Sequence, residues 1–173
     1  MRFVTDRMLG KLSTWLRILG YDTVYAADLD VKNDEDRFII TFAEREGRIL
    51  LTRDRGMIRE AKRRGIQHVY VRDGEVMEQL KELLHHKIDI NLEPVPRRCS
   101  ICNGELRKVK EGEEAMLLAK SYVPSDKIGK TEFWVCNNCG RIYWKGSHWL
   151  NMRARLNDVK GKNRKILNME ETD

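Results

Sequence analysis

The chain has 173 residues, enough for one domain with a full core, or for a domain of about 100 residues beside a small module that needs a staple. Residues 1–96 carry 17 Lys+Arg against 17 Asp+Glu and residues 97–173 carry 16 against 10, so the net charge of +6 lies in the C-terminal part, together with all four cysteines. Nothing approaches the ~20 apolar residues that span a bilayer and Met1-Arg-Phe-Val-Thr-Asp6 has no apolar leader, which argues against a membrane protein and for a cytoplasmic one.

In chain order, Phe3-Val-Thr5 is a short apolar run closed by Asp6. Met8, Leu9, Leu12, Trp15, Leu16 and Leu19 then recur at helical spacing, with Gly20 where a left-handed C-cap belongs. Thr23–Ala27 reads as a second strand, followed by a polar stretch to Asp34 and a helix introduced by Asp36 with Ile39, Ile40 and Ala43 on its apolar face. Ile49–Thr52 is a third strand that delivers Asp54. A helix over about 57–64, a strand over His68–Val71 closed by Asp73, and a helix marked by Val76, Leu80, Leu83 and Leu84 complete the alternation. Ile88–Leu92 alternates with period two, as an edge strand would. Strands alternating with helices predict an α/β fold, a mainly parallel sheet covered on both faces.

Glu93-Pro-Val-Pro-Arg-Arg98 is the expected boundary, because two prolines in three residues continue neither a helix nor a central strand. The expected organisation is a first domain over 1–93, a second module over 97–159 and a basic tail over 160–173. Cys99-Ser-Ile-Cys102 and Cys136-Asn-Asn-Cys139 are two C-x-x-C turns, each followed closely by glycine. Four thiolates suit tetrahedral zinc in a closed, structural site; two disulfides or an iron–sulfur cluster would use the same residues, and a reducing compartment disfavours the disulfides. The 33 residues between the pairs exceed the commoner ~15–20, which points to a ribbon with a long insertion.

Asp6, Asp54 and Asp73 each close a short apolar run, and ligands of parallel sheets bind at the carboxyl ends of the strands. Each acid, like Asp36, is also well placed to cap a helix or make a turn. Gathered in one cleft, the carboxylates would repel one another unless a cation resolved the repulsion. Hard oxygen donors select Mg²⁺ or Mn²⁺, and phosphodiester hydrolysis is the chemistry such a site serves.

The stretch from Asp6-Arg-Met-Leu-Gly-Lys-Leu-Ser-Thr-Trp-Leu-Arg17 to Asp22, with Asp36 and Arg48-Ile-Leu-Leu-Thr-Arg-Asp-Arg55, resembles PIN-like ribonuclease domains. Arg98-Cys-Ser-Ile-Cys-Asn-Gly104 and Phe133-Trp-Val-Cys-Asn-Asn-Cys-Gly-Arg-Ile-Tyr-Trp-Lys-Gly-Ser-His-Trp149 resemble the zinc ribbon fused to one PIN-like family, the domain at the C-terminal end of the Mut-seven exonucleases. The resemblance implies a PIN-like three-layer α/β/α fold followed by a small zinc ribbon. It implies a metal-dependent ribonuclease (a hydrolase) with Asp6, Asp36 and Asp54 at the Mg²⁺ or Mn²⁺ site and Asp73 near a fourth acid position. A homodimer is compatible with it.

Lys11, Arg17, Arg53 and Arg55 stand near the acids in sequence and are candidate phosphate contacts. Lys145 and His148, interleaved with Tyr143, Trp144 and Trp149, suit stacking and phosphate contact with single-stranded or structured RNA. The alternative function is a nucleic-acid-binding module with little or no catalysis. A receiver-like phosphoacceptor reading of Asp54 lacks the lysine expected after a fifth strand.

Overall fold

The computed structural model describes residues 1–31 and 33–170, with 161–170 as helical backbone alone. Strand β1 (Arg2–Thr5) leads through a 3-10 turn (Arg7–Leu9) into α1 (Gly10–Ile18) and β2 (Asp22–Tyr25). Helix α2 (Glu35–Glu46), β3 (Ile49–Thr52), α3 (Arg55–Arg63), β4 (His68–Tyr70) and α4 (Val76–His85) follow. The four strands form an all-parallel sheet in the order β2-β1-β3-β4, with Val4 level with Val24 and Leu50. Each crossover carries a helix, the usual way parallel strands are joined.

Because side chains alternate across a strand, the buried runs feed two cores. Phe3, Ile49, Leu51 and Val69 pack on one face with Leu12 and Leu16 of α1 and Leu80 and Leu83 of α4. Val4 and Leu50 pack on the other with Ile39, Ile40 and Ala43 of α2 and Met57 and Ala61 of α3. The result is the three-layer α/β/α arrangement expected from the alternating elements.

Residues Ile88–Leu92 pair with no strand. Ile88, Ile90 and Leu92 are buried and Asp89 and Asn91 exposed, so the period-two pattern is real, but it records an extended segment laid on the first core. Its backbone bonds are local or go to side chains, as when Asn91 N donates to Tyr21 Oη at 2.7 Å. An alternating pattern specifies an extended backbone with one buried face and leaves open what lies beside it.

The second sheet is antiparallel, β5 (Leu106–Lys108), β6 (Phe133–Cys136) and β7 (Ile142–Trp144) in that order, with α5 (Glu114–Leu118) in the long insertion. Its own core is small: Leu117, Val123, Phe133, Val135 and Ile142. Helix α6 (Ser147–Glu170) then turns back over the first domain, where Leu156 and Val159 join the core beside α4. Arg153 and Lys160 reach Glu93 at 2.8 and 3.4 Å. The basic tail assigned to 160–173 lies, beyond that helical backbone and Lys160, outside the described residues. No helix among the described residues is long and apolar enough to cross a membrane.

Candidate active site and metal centre

Asp6 and Asp54 follow adjacent parallel strands, so both stand at the carboxyl edge of the sheet. Asp6 is buried, 6% exposed. Its Oδ1 accepts from Met8 N (2.8 Å), capping the 3-10 turn, while Oδ2 accepts from the Thr52 hydroxyl (2.6 Å) and Arg53 N (2.8 Å). The same Thr52 oxygen accepts from Asp54 N at 2.9 Å, so one hydroxyl ties the two acids together. Asp54 caps α3 through Oδ1 to Met57 N (2.8 Å). Gly56 belongs to this arrangement, because a Cβ there would come within 2.8 Å of Asp54 Oδ1. Capping does not exhaust the Asp54 carboxylate: each oxygen has two lone pairs, and Asp54 Oδ2 carries no described bond.

Asp36 lies in the first turn of α2 across a cleft of about 450 Å³ between α2 and α3. No described hydrogen bond compensates its charge. Partial burial, then the charges of Asp54, Glu35, Asp34 and Asp6, push its carboxyl above the usual range. The folded protein thus binds that proton more tightly than the unfolded chain does, so ionising Asp36 opposes folding above the raised value. That effect vanishes below the ordinary carboxylate range. Without divalent cations, Asp36→Asn should raise the melting temperature at neutral pH by about 1–2 °C, because a largely solvated like-charge cluster is worth only tenths of a kcal/mol. The gain should disappear near pH 3.5 and reverse with Mn²⁺; calorimetric melts across pH and metal concentration check this.

Asp73 stands apart from these three. It is 81% exposed, bonds the following Gly74 N, and forms an ion pair with Arg53 at 3.1 Å.

The four cysteine sulfurs lie within 4.8 Å of one another, the one such convergence of possible metal ligands among the described residues. Cys99 and Cys139 are 3.6 Å apart and Cys102 and Cys136 3.5 Å. Disulfide sulfurs sit about 2.05 Å apart, whereas a tetrahedron of ~2.3 Å bonds has edges of about 3.8 Å, so the spacing fits one metal ion such as zinc and no disulfide. Backbone N–H groups of Cys102 and Cys139 point at Cys99 and Cys136 Sγ (both 3.5 Å), favouring thiolates. Only glycine fits at 104, since a Cβ would approach Cys136 Sγ to 2.8 Å and Cys102 Sγ to 3.3 Å.

The Cys99–Cys102 turn is docked on the free edge of the parallel sheet, at β2. Asn103 Oδ1 accepts from Thr23 N (3.0 Å) and its Nδ2 donates to Asp22 (2.7 Å). Asp22 also pairs with the buried Arg48 at 2.9 Å. Burial disfavours the Asp22 carboxylate, but the bonds from Arg48 and Asn103 outweigh it and hold its pKa below the usual range. Arg17 completes the joint, its Nε donating to Thr23 O (2.9 Å), Nη1 to Ile101 O (2.7 Å) and Nη2 to Asp28 (2.8 Å).

A model of the Mut7-C RNAse domain matches residues 1–156. The chain belongs to that family. No match is found among curated proteins or among solved structures. The Mut7-C match runs from the first strand to Leu156, where α6 enters the core of the parallel domain, so it takes in sheet, ribbon and returning helix together.

Within the Mut7-C domain the candidate RNA contacts sort by availability. Arg17 is corrected: it is 3% exposed with all three guanidinium nitrogens bonded inside the protein, and no phosphate reaches it. Its position on an amphipathic helix gave no sign of this, because its partners come from segments up to 84 residues away. Lys11 and His148 are exposed, Arg55 lies 5.3 Å over the Tyr70 ring, and Lys145 sits over Trp134 and Trp149 at 5.4 and 5.8 Å. Arg53 is held by Asp73.

Sequence reasoning missed Thr52, Asn103 and Arg37. Arg37 is exposed on the cleft wall beside Asp36; its signal was adjacency to an acid. Thr52→Val keeps the shape but leaves Asp6 Oδ2 and Asp54 N short of a partner, at about 1–3 kcal/mol for a buried group. The melting temperature should fall by about 3–8 °C on a thermal melt.

Proposed function

We propose that this Mut7-C domain is a metal-dependent ribonuclease that hydrolyses RNA phosphodiester bonds at the Asp6–Asp36–Asp54 edge, the ribbon helping to hold the RNA. The observation that carries the reading is the Thr52 hydroxyl, which joins the Asp6 carboxylate to the Asp54 backbone N–H and so sets two strand-end aspartates at the cleft of a third, Asp36, whose charge no described hydrogen bond compensates. Mg²⁺ or Mn²⁺ held by Asp6, Asp36 and Asp54 would supply Lewis acidity and a water of lowered pKa. The chain's own contribution is to fix that donor set. Asp6 is held by three hydrogen bonds and Asp54 by the start of α3, so both carboxylates keep their direction when a phosphate arrives. Arg37 and Arg55 on the surrounding surface suit phosphate oxygens, and their exposure makes those contacts salt-sensitive.

A second reading, nucleic-acid binding with little or no catalysis, is favoured by one observation: the acids, unlike the cysteines, do not converge on a common point. Cleavage of end-labelled single-stranded RNA with Mn²⁺ or Mg²⁺, beside Asp54→Asn and matched DNA, decides between them. Products from the parent alone support the nuclease; binding without products from either supports the binding module.

A further inference from the structure

A second cavity, of about 390 Å³, lies where the ribbon, the 94–98 linker and the start of α6 meet. Its volume is that of a small-molecule pocket. Tyr122, Trp144 and Trp149 supply flat apolar walls, and Arg98, Arg141 and His148 supply the polar groups. No carboxylate lines it. Tyr122 is 46% exposed and its ring is fixed from two sides: Ile142 N donates to its hydroxyl at 3.0 Å, and the Arg141 guanidinium lies 5.8 Å above the ring. Tyr143, also in the lining, bonds both Cys99 Sγ (3.0 Å) and Ser100 (3.2 Å), which ties the cavity wall to the first C-x-x-C turn.

We propose that this cavity binds an unpaired RNA nucleotide, its base stacked against Tyr122 and its phosphate met by Arg141 and His148. Flat aromatic walls with cations and no acids complement a ligand that is flat, apolar in body and anionic at one end. The site is distinct from the acid cleft. Ile18 of the lining ends α1, whereas Asp6 precedes that helix, and its nine residues at 1.5 Å rise put about 13 Å of helix between the two. An RNA engaging both must run along the domain, which makes the cavity a length- and strandedness-reading site: a base inside a duplex cannot enter it.

The inference rests on the ribonuclease reading only in taking RNA as the ligand, and its test involves no cleavage. Zinc-loaded full-length Asp54→Asn protein, without Mg²⁺ or Mn²⁺, is titrated with a labelled twelve-nucleotide oligoadenylate and with a strand of equal length carrying abasic residues. Tyr122→Ala should weaken oligoadenylate binding about tenfold, Tyr122→Phe, which keeps the ring and loses only the hydroxyl bond to Ile142 N, should weaken it much less, and neither should alter binding of the abasic strand. Arg141→Gln removes a cation that the abasic strand also meets, so it should weaken both strands and reduce the salt slope by about one. Oligoadenylate affinity equal in Tyr122→Ala and parent, an abasic strand bound as tightly as oligoadenylate, or no binding by the parent would each overturn the assignment.

Discussion

Asp54→Asn should reduce RNA cleavage by at least about a hundredfold while leaving the fold and its melting temperature nearly unchanged. Loss even of a residue that only supports a metal ligand typically costs 10–100-fold, and a direct ligand should cost no less. The separation of activity from stability follows from what Asp54 does besides. Its Oδ1 caps α3 through Met57 N, and asparagine caps a helix as well as aspartate does. Its backbone N–H, bound to Thr52, is untouched by the change. Alanine would be a poorer choice, because it removes the cap at about 1 kcal/mol and mixes a stability loss into the kinetics. Single-turnover cleavage with a thermal melt of the same preparations reads both quantities. Undiminished cleavage by a folded Asp54→Asn protein would remove the acid cleft from the chemistry. Asp73→Asn is the informative companion: its carboxylate is exposed and paired with Arg53, so its loss should change cleavage much less.

The parts legible in the sequence were those written in local periodicity. Alternating apolar runs and helical stripes located β1, β3 and α1 to within a residue or two, and the paired C-x-x-C turns located the four-cysteine cluster. What the sequence hid was the set of contacts made across long separations. Thr52 reads as the last residue of a buried strand, yet its hydroxyl reaches Asp6, 46 residues away. Asp22, which nothing in its own sequence neighbourhood pairs, bridges Arg48 and Asn103. The burial of Arg17 has the same origin: periodicity gives the face of a helix and says nothing of what another segment places over that face. Leu156 and Val159 likewise cover a surface in the other half of the chain, which their helical spacing does not disclose.

Replacing Cys136 with serine, or stripping the metal with a strong chelator, should unfold the ribbon and also loosen the β2 edge of the parallel sheet, lowering the main melting transition by more than about 5 °C. The first effect follows from magnitudes. Structural zinc supplies about 10–16 kcal/mol of apparent binding free energy, and a whole domain is stable by only about 5–15 kcal/mol. The five buried residues of the ribbon core cannot replace that. The second effect follows from the joint. Once the Cys99–Cys102 turn disorders, Arg17 loses Ile101 O, Thr23 N loses Asn103 and Asp22 loses one of its two partners. Each buried group left unsatisfied costs about 1–3 kcal/mol, and two such losses exceed what the melting shift requires. Hydrogen exchange separates the two effects by residue. Amides of β5–β7 should lose protection in the metal-free protein, and Thr23 N should lose it with them. Leu50 N, bonded to Gln67 O inside the sheet, should stay protected. A metal-free protein in which Thr23 N exchanges as slowly as before would mean that the knuckle holds its place on β2 without its ion.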